Sequence, residues 1–588
     1  MANFLETYKG LEVPVSTPGD GGRAIKENFQ KLADAVNPEV VVQAGADAEA
    51  NGTALKEAYH RAKLKLLIDV QPSDDPLDPD VSGLYEGAGF RNDKPYYARE
   101  VSPGETWYLY WDGSANWLIA KQLGATGTQY WESAGSDIEG EYTDRGPGEN
   151  NATVSIFNRV VLSIGPGVYD VGDEEGLVVD VPHVDLLGLG ARPEDVVLTS
   201  ACDVDNHGTL EQEADDVSIR NLKLANTHMK HRYYRDSTWP AAYFPASDLP
   251  LTRLEDVVCE GTELGLESRA LSMRFDVTYS GTYVNCVGGP YSFGGYGGTS
   301  SASGTFVGCT AGLGSFGGSC PAGSRFENCV AGDYSFASLD TAAGTFKDCQ
   351  AGEWSFGAYC GTASGTFVNC VGGGASYGGF GTCSGTFTDC EGGDYSWAGL
   401  QASGTAAQLI RCRSTGRDYP VTKWQGLMED CVIEVTGENQ DAVELARKQY
   451  GAQSKTAANS STTDKIVIED DECAEDFPAG AYVKHAAEDT WHRITESKEV
   501  LGDTEVYVSP AAGSDWDGQP VRATSAPVIR GCTLIANGTG YSVDADYETP
   551  AVIERCGVNK DISDNVVNVI GNGYNVLDED IAISPTGA

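Results

Sequence analysis

Long apolar runs are absent from this chain: nowhere do 18 apolar residues follow one another, so no segment reads as a membrane-spanning helix. The opening residues, MANFLETYKGLEVPVSTPGD, hold no basic stretch leading into an apolar one, and the expectation is a protein made and assembled in the cytoplasm. Basic residues are scarce, 40 Lys and Arg against 86 Asp and Glu, for a formal charge of −46. A field of that sign repels nucleic acid and anionic lipid, which excludes both as main partners. Cys-x-x-Cys pairs are also missing, so the 16 cysteines follow some other logic than an oxidised secreted scaffold.

The acidity is spread along the whole chain instead of forming a tail. That is expected of a folded protein kept soluble in near-saturated salt, where screening cancels self-repulsion, and it points to a halophilic source. Gly is abundant, 72 of 588 residues, while hydrophobic content is ordinary, so the surplus serves turns in a repeating architecture.

The repeat lies between about 279 and 420, with the core pattern G-T-F-x-x-C-x-x-G-x-x-S-F-G. Cys286, Cys309, Cys329, Cys349, Cys370, Cys390 and Cys412 recur every 20 to 23 residues. Three positions before them stand Tyr283, Phe306, Phe326, Phe346, Phe367, Phe387 and Leu409; seven after stand Phe293, Phe316, Phe336, Phe356, Tyr377, Trp397 and Tyr419. Serines occupy the sixth position after each Cys until Asp418 breaks the row. Large residues in register at this period mark a solenoid, whose repeats bury their apolar faces only by stacking. Leucine is sparse in the units, at Leu313, Leu339, Leu400 and Leu409, and they lack any 3.6 periodicity, so they read as brief strands separated by Gly, with rungs about 4.8 Å apart. A cysteine ladder could be a chain of disulfides or a metal stripe. Parallel Cβ vectors disfavour the disulfide dihedral, and a ladder of reduced, buried thiols is expected, with Cys320 and Cys360 forming a second, partial one.

Strand-turn rhythm continues in RVVLSIGPGVYDV (159–171), VDLLGLGARPEDVVLTS (184–200) and VSIRNLKLAN (217–226), and returns in VIRGCTLIANGTG (528–540), VIERCGV (552–558) and ISDNVVNVIGNG (562–573). In phrases such as IGPGVYDV and DLLGLGARPEDVVLTS the chain resembles the pectate-lyase-like superfamily. The resemblance implies an all-β fold, a right-handed parallel β-helix. No lyase motif is present from which catalytic residues could be carried over. The expected division is 1–40, an N-terminal segment with a short helix; 41–66, a helix capping the solenoid; 67–155, an inserted aromatic-rich β domain; 156–436, the β-helix; 437–525, a second β-rich insert opening with a helix over 441–450; and 526–588, the last coils.

LEVPVSTPGDGGRAIKENFQKLADAV resembles the N-terminus of tail-fibre proteins of tailed viruses, here of a haloarchaeal virus. That resemblance implies a virion protein, with Ile25, Phe29, Leu32 and Val36 on one helical face for trimerisation or docking to tail, baseplate or capsid-vertex proteins. In the first insert Trp107, Tyr110, Trp111, Trp117 and Trp131 belong to a dense aromatic set that serves either the small domain's own core or stacking against sugars. The stretch THMKHRYYRDSTWP gathers His228, His231, Arg232, Tyr233, Tyr234 and Trp239, a candidate glycan contact or a plain loop; two histidines alone are a weak metal site. Asp203, Asp205 and His207 form another polar cluster. No cofactor and no metal are expected. Two functions stand: a homotrimeric adhesin for a host surface glycoprotein or glycan, or a tailspike-like depolymerase, hydrolase or lyase, working through paired carboxylates.

Overall fold

The structure, a computed structural model, describes residues 38–577 apart from 231–241, 244–248, 264–277, 295–299, 398–406, 447–453 and shorter interruptions of one to four residues. The expected fold class holds: right-handed parallel β-helix coils carry two β-rich inserts. The chain divides into two compact units. One holds the described residues up to 228 together with 242–243 and 251–258; the other holds the described residues from 259 onward.

In the first unit β1 (Glu39–Val42) alternates outward Glu39 and Val41 with inward Val40 and Val42. It pairs in parallel with β10 (Val160–Ile164), which pairs onward with Val184–Gly188. Residues 39–42 therefore form the first rung, where the sequence suggests only a tail and a cap. Helix α1 (Ala48–Lys63) starts four residues before the expected 52, because the Asp47 side chain accepts the Glu49 and Ala50 N–H groups. Its buried face of Leu55, Ala58, Tyr59 and Ala62 packs on β11 (Gly167–Asp170), covering the apolar end of the coil. Lys63 is buried against the Asp180 carboxylate at 2.5 Å, and the Tyr59 hydroxyl donates to the same group at 3.3 Å.

Between α1 and β10 the chain leaves the coil to form a closed antiparallel barrel. Its strands are β2 (Leu67–Pro72), β3 (Gly83–Arg91), β4 (Lys94–Ser102), β5 (Glu105–Trp111), β6 (Trp117–Gln122), β7 (Ala125–Ser133), β8 (Gly140–Asp144) and β9 (Ala152–Ile156). Closure comes from β2 pairing with both β3 and β9, which removes every free edge.

In the second unit the repeats stack as their period requires. The strands bearing Tyr283, Phe306, Phe326, Phe346, Phe367, Phe387 and Leu409 pair in register and continue through Met428, Ile529 and Ile553. Phe306, Phe326, Phe346 and Phe367 stack at 4.8 to 4.9 Å with planes within 3°, and the second column meets them edge-on. The residue before each ladder cysteine is left-handed: Asn285, Gly308, Asn328, Asp348, Asn369, Asp389 and Arg411, with φ between 51° and 64°. Asn, Asp and Gly tolerate that conformation best, which accounts for their recurrence there. The bend aims each thiol inward. Cys309, Cys329, Cys370 and Cys412 donate at 3.4 Å to the carbonyls of Tyr283, Phe306, Phe346 and Phe387 on the preceding rung.

The thiols are thus more than small hydrophobes, and all 15 described cysteines are buried, with no disulfide between any two of them. Burial pushes the Cys259 and Cys320 thiols up. Iodoacetamide applied to the native protein is expected to leave the ladder cysteines unmodified, and to label them after denaturation; mass spectrometry of the peptides checks this.

The structure departs from the sequence reading in three further places. Trp397 pairs with Val421, and Tyr419 lies instead beside Tyr395 at 6.0 Å, because two extra residues enter that turn. Cys320 stacks on Ala342, followed by Ala363 and Cys383, while Cys360 lies outside the described residues. The helix expected over 441–450 is replaced at Val443–Leu445 by a strand pairing with Val421–Trp424 and Val543–Ala545, so the rung overrides local helix propensity; 447–450 lie outside the described residues. The coil thus runs to 445, and the second insert follows it. Its four-stranded antiparallel sheet, Lys465–Ile468, Asp503–Ser509, Thr490–Val500 and Tyr482–His485, encloses Trp516 beside His485 and His492. Lys484 Nζ and Trp491 Nε1 anchor it to the Glu548 carboxylate of a coil at 2.6 and 3.0 Å.

Candidate functional site

Alternation along the barrel strands sorts its aromatics into two sets. Trp111 lies opposite Trp117, Leu109 opposite Ile119, and Ile119 opposite Trp131, so these side chains share one face with Trp107 and Tyr97. That face is the interior: Tyr97, Trp107, Trp117 and Trp131 are buried, and Trp107 meets Trp131 edge-on at 5.8 Å. A small barrel has no other means of filling its lumen than large side chains. Trp131 Nε1 donates to the Asn150 carbonyl at 2.7 Å.

The opposite parity places Tyr96 and Ala98 of β4, Tyr108 and Tyr110 of β5, Leu118 and Ala120 of β6, and Tyr130 of β7 on the outer surface. There Tyr110, Leu118 and Ala120 form a buried cluster against which Tyr96, Tyr108, Leu123 and Tyr130 pack while remaining partly exposed. Tyr96 and Tyr108 meet at 6.3 Å. The Arg91 guanidinium sits over the Tyr110 ring at 5.9 Å, and its Nε is buried without a hydrogen-bond partner. Burial pushes the Tyr110 phenol up, so its hydroxyl stays protonated. An outer barrel face facing water would ordinarily be polar. Three partly exposed tyrosines, Tyr96, Tyr108 and Tyr130, with rings for stacking and hydroxyls for hydrogen bonding, rimmed by the Arg145–Glu132 pair at 3.0 Å, make it the candidate recognition surface.

Of the residues singled out by sequence, Trp107, Trp117 and Trp131 are therefore enclosed in the barrel and cannot touch a ligand. Tyr110 is buried beneath the outer face. Trp111 is partly exposed, with Lys94 Nζ over its ring at 4.7 Å. Tyr96, Tyr108 and Tyr130 are the surface residues that the selection passed over. The signal was present in ETWYLYW, whose alternation already separates Tyr108 and Tyr110 from Trp107, Leu109 and Trp111. His231, Arg232, Tyr233, Tyr234 and Trp239 lie outside the described residues, as do Ile25, Phe29, Leu32, Val36, Asp203 and Asp205. His207 holds the buried Glu211 carboxylate at 2.5 Å through Nδ1. Among the described residues no three His, Cys, Asp or Glu are grouped to hold a metal ion.

A charged network joins the barrel to the coils within the first unit. Arg159 bridges Asp185 at 2.8 Å and also Asp216, while His183 reaches Glu139 of the barrel at 3.2 Å. Although burial works against it, the His183 ring and the Ile156 N–H hold the Glu139 carboxyl below the usual carboxylate range. Asp185 also accepts the Ser218 N–H, so its carboxylate is engaged in holding adjacent coils together.

No protein-family model matches the chain, and no curated protein matches it. Among solved structures it is similar to pectin methylesterase PemA from Erwinia chrysanthemi, at 12% identity over 51% of this chain and 74% of that one, with a TM-score of 0.16. It is similar also to a rice weevil pectin methyl esterase, at 10% identity over 64% and 70%, with a TM-score of 0.15. No residue role is transferred from either.

Proposed function

We propose that the chain is a structural virion protein, a tail fibre or capsid-vertex spike, that adheres to a glycan or glycoprotein on the surface of a haloarchaeal host. The outer tyrosine face of the barrel carries this reading, since Tyr96, Tyr108 and Tyr130 present partly exposed rings there, packed on Tyr110, Leu118 and Ala120. The coils act as its scaffold. The N-terminal segment with Ile25, Phe29, Leu32 and Val36 joins the other virion proteins and closes a homotrimer. The −46 charge suits the same setting, a particle suspended in concentrated salt.

Incubating the purified chain with host surface glycoprotein in molar salt separates adhesion from depolymerisation. Binding with unchanged glycan chain length is expected; newly released reducing ends or unsaturated sugars would contradict the adhesin and establish the depolymerase.

A further inference from the structure

The hairpin joining β3 to β4 sets two like charges against each other. Asn92 and Asp93 take φ of 49° and 63°, the left-handed pair that a tight two-residue turn requires, and this places Arg91 directly opposite Lys94. Cations facing one another across strands destabilise a sheet. A chain with 86 acidic residues against 40 basic nevertheless leaves this pair unneutralised: among the described residues no carboxylate pairs with Arg91 or Lys94. Asp93, in the turn between them, is exposed. Asp112 accepts the Ser114, Ala115 and Asn116 N–H groups of its own turn, and Glu132 holds Arg145.

Both cations lie on aromatic rings instead. The Arg91 guanidinium covers Tyr110 at 5.9 Å, and Lys94 Nζ covers Trp111 at 4.7 Å. The turn between β6 and β7 closes on the same place: Leu123 packs against the Tyr110 cluster, and a Cβ built on Gly124 would stand 2.5 Å from Arg91 Nη2. Of the Arg91 nitrogens, Nε alone is buried without a partner, which leaves the two terminal nitrogens to meet a ligand. Packing, not a counter-ion, therefore holds the guanidinium beside the exposed rings of Tyr96, Tyr108 and Tyr130.

We infer that Arg91 and Lys94 bind the acidic group, a carboxylate or a sulfate ester, of a charged sugar whose ring rests on these tyrosines. The inference rests on the adhesin reading of this face and names the class of glycan that the face takes. A planar guanidinium offers parallel N–H donors to two oxygens of such a group, and the ammonium adds a point charge. The bound anion removes the repulsion between the two cations. The −46 net charge does not oppose it in molar salt, where the Debye length is about 3 Å and only charges in contact count.

The test is calorimetric titration of the full chain in molar salt with three hexasaccharides: one of hyaluronan, bearing carboxylates; one of carrageenan, bearing sulfates; and maltohexaose, bearing neither. At least one acidic hexasaccharide is expected to bind, about tenfold or more tightly than maltohexaose, and which of the two binds tells carboxylate from sulfate. R91Q should weaken that binding about tenfold or more at an unchanged melting temperature. K94Q should weaken it in the same direction, and decides the matter if R91Q fails to fold. Maltohexaose bound as tightly as the acidic probes, acidic probes indifferent to both variants, or no acidic probe bound at all would overturn the site. Host surface glycoprotein bound equally by the unaltered chain and by both variants would overturn the site and leave adhesion standing. Acidic probes bound through Arg91 by a chain that ignores the glycoprotein would do the reverse.

Discussion

Phe346→Ala is expected to destabilise its coil by about 3–5 kcal/mol, the range for removing a fully buried phenyl ring. Phe346 has no solvent exposure. It stacks on Phe326 and Phe367 at 4.9 and 4.8 Å and meets Phe336 and Phe356 edge-on at 5.8 and 5.5 Å. Deletion leaves a cavity that neighbouring rungs cannot close, because their backbones are held at the spacing of parallel hydrogen bonds. In a solenoid the loss is felt first by nearest neighbours. Hydrogen exchange is the appropriate measurement: amides of the Phe326 and Phe367 rungs should exchange about a hundredfold faster or more, while those of the barrel stay unchanged. A uniform change along the chain would contradict ladder packing.

Gly52→Ala should undock the capping helix. An added Cβ would stand 1.6 Å from the Asp170 carbonyl oxygen, a clash with backbone that no rotamer relieves. Helix α1 would have to move away from β11, loosening the Lys63–Asp180 pair and the Tyr59 hydrogen bond together. Overpacking of this kind costs about 1–3 kcal/mol, and backbone contact puts Gly52 at the upper end. Protease sensitivity within 48–63 should rise sharply while ellipticity from the barrel persists. Ala54→Gly, the reverse exchange at an unburied helical position, should cost only about 1 kcal/mol.

These two residues show what a single sequence discloses. Phe346 was legible because its neighbours repeat it every 20 or 21 residues, and stacking requires register. Gly52 was not: a glycine inside a helix carries no periodic mark, and its reason is a strand more than a hundred residues away. The barrel aromatics fall between. Their density disclosed a separate β domain, but which rings face outward depends on the pairing of β4, β5, β6 and β7, and Trp107, Trp117 and Trp131 were drawn inward by the need to fill the lumen. Tyr419 was misplaced by a two-residue insertion, which periodicity alone does not register. The ladder's continuation from Cys431 into Cys532 and Cys556 was hidden by the insert between Cys431 and Cys532, whose rungs nevertheless meet, with Cys431 N donating to Cys532 Sγ at 3.4 Å.

The adhesin reading rests on the outer tyrosines of the barrel, and its most direct test is the affinity of the full chain for purified host surface glycoprotein in molar salt. The comparison is with a variant carrying Tyr96→Ala, Tyr108→Ala and Tyr130→Ala. These rings are partly exposed and lie outside the barrel interior, so the variant should keep its fold, seen as an unchanged near-ultraviolet spectrum from Trp107 and Trp131. Affinity is expected to fall about tenfold or more, as for aromatic anchors at an interface. Equal binding by the two proteins, or none by the unaltered chain, would contradict it.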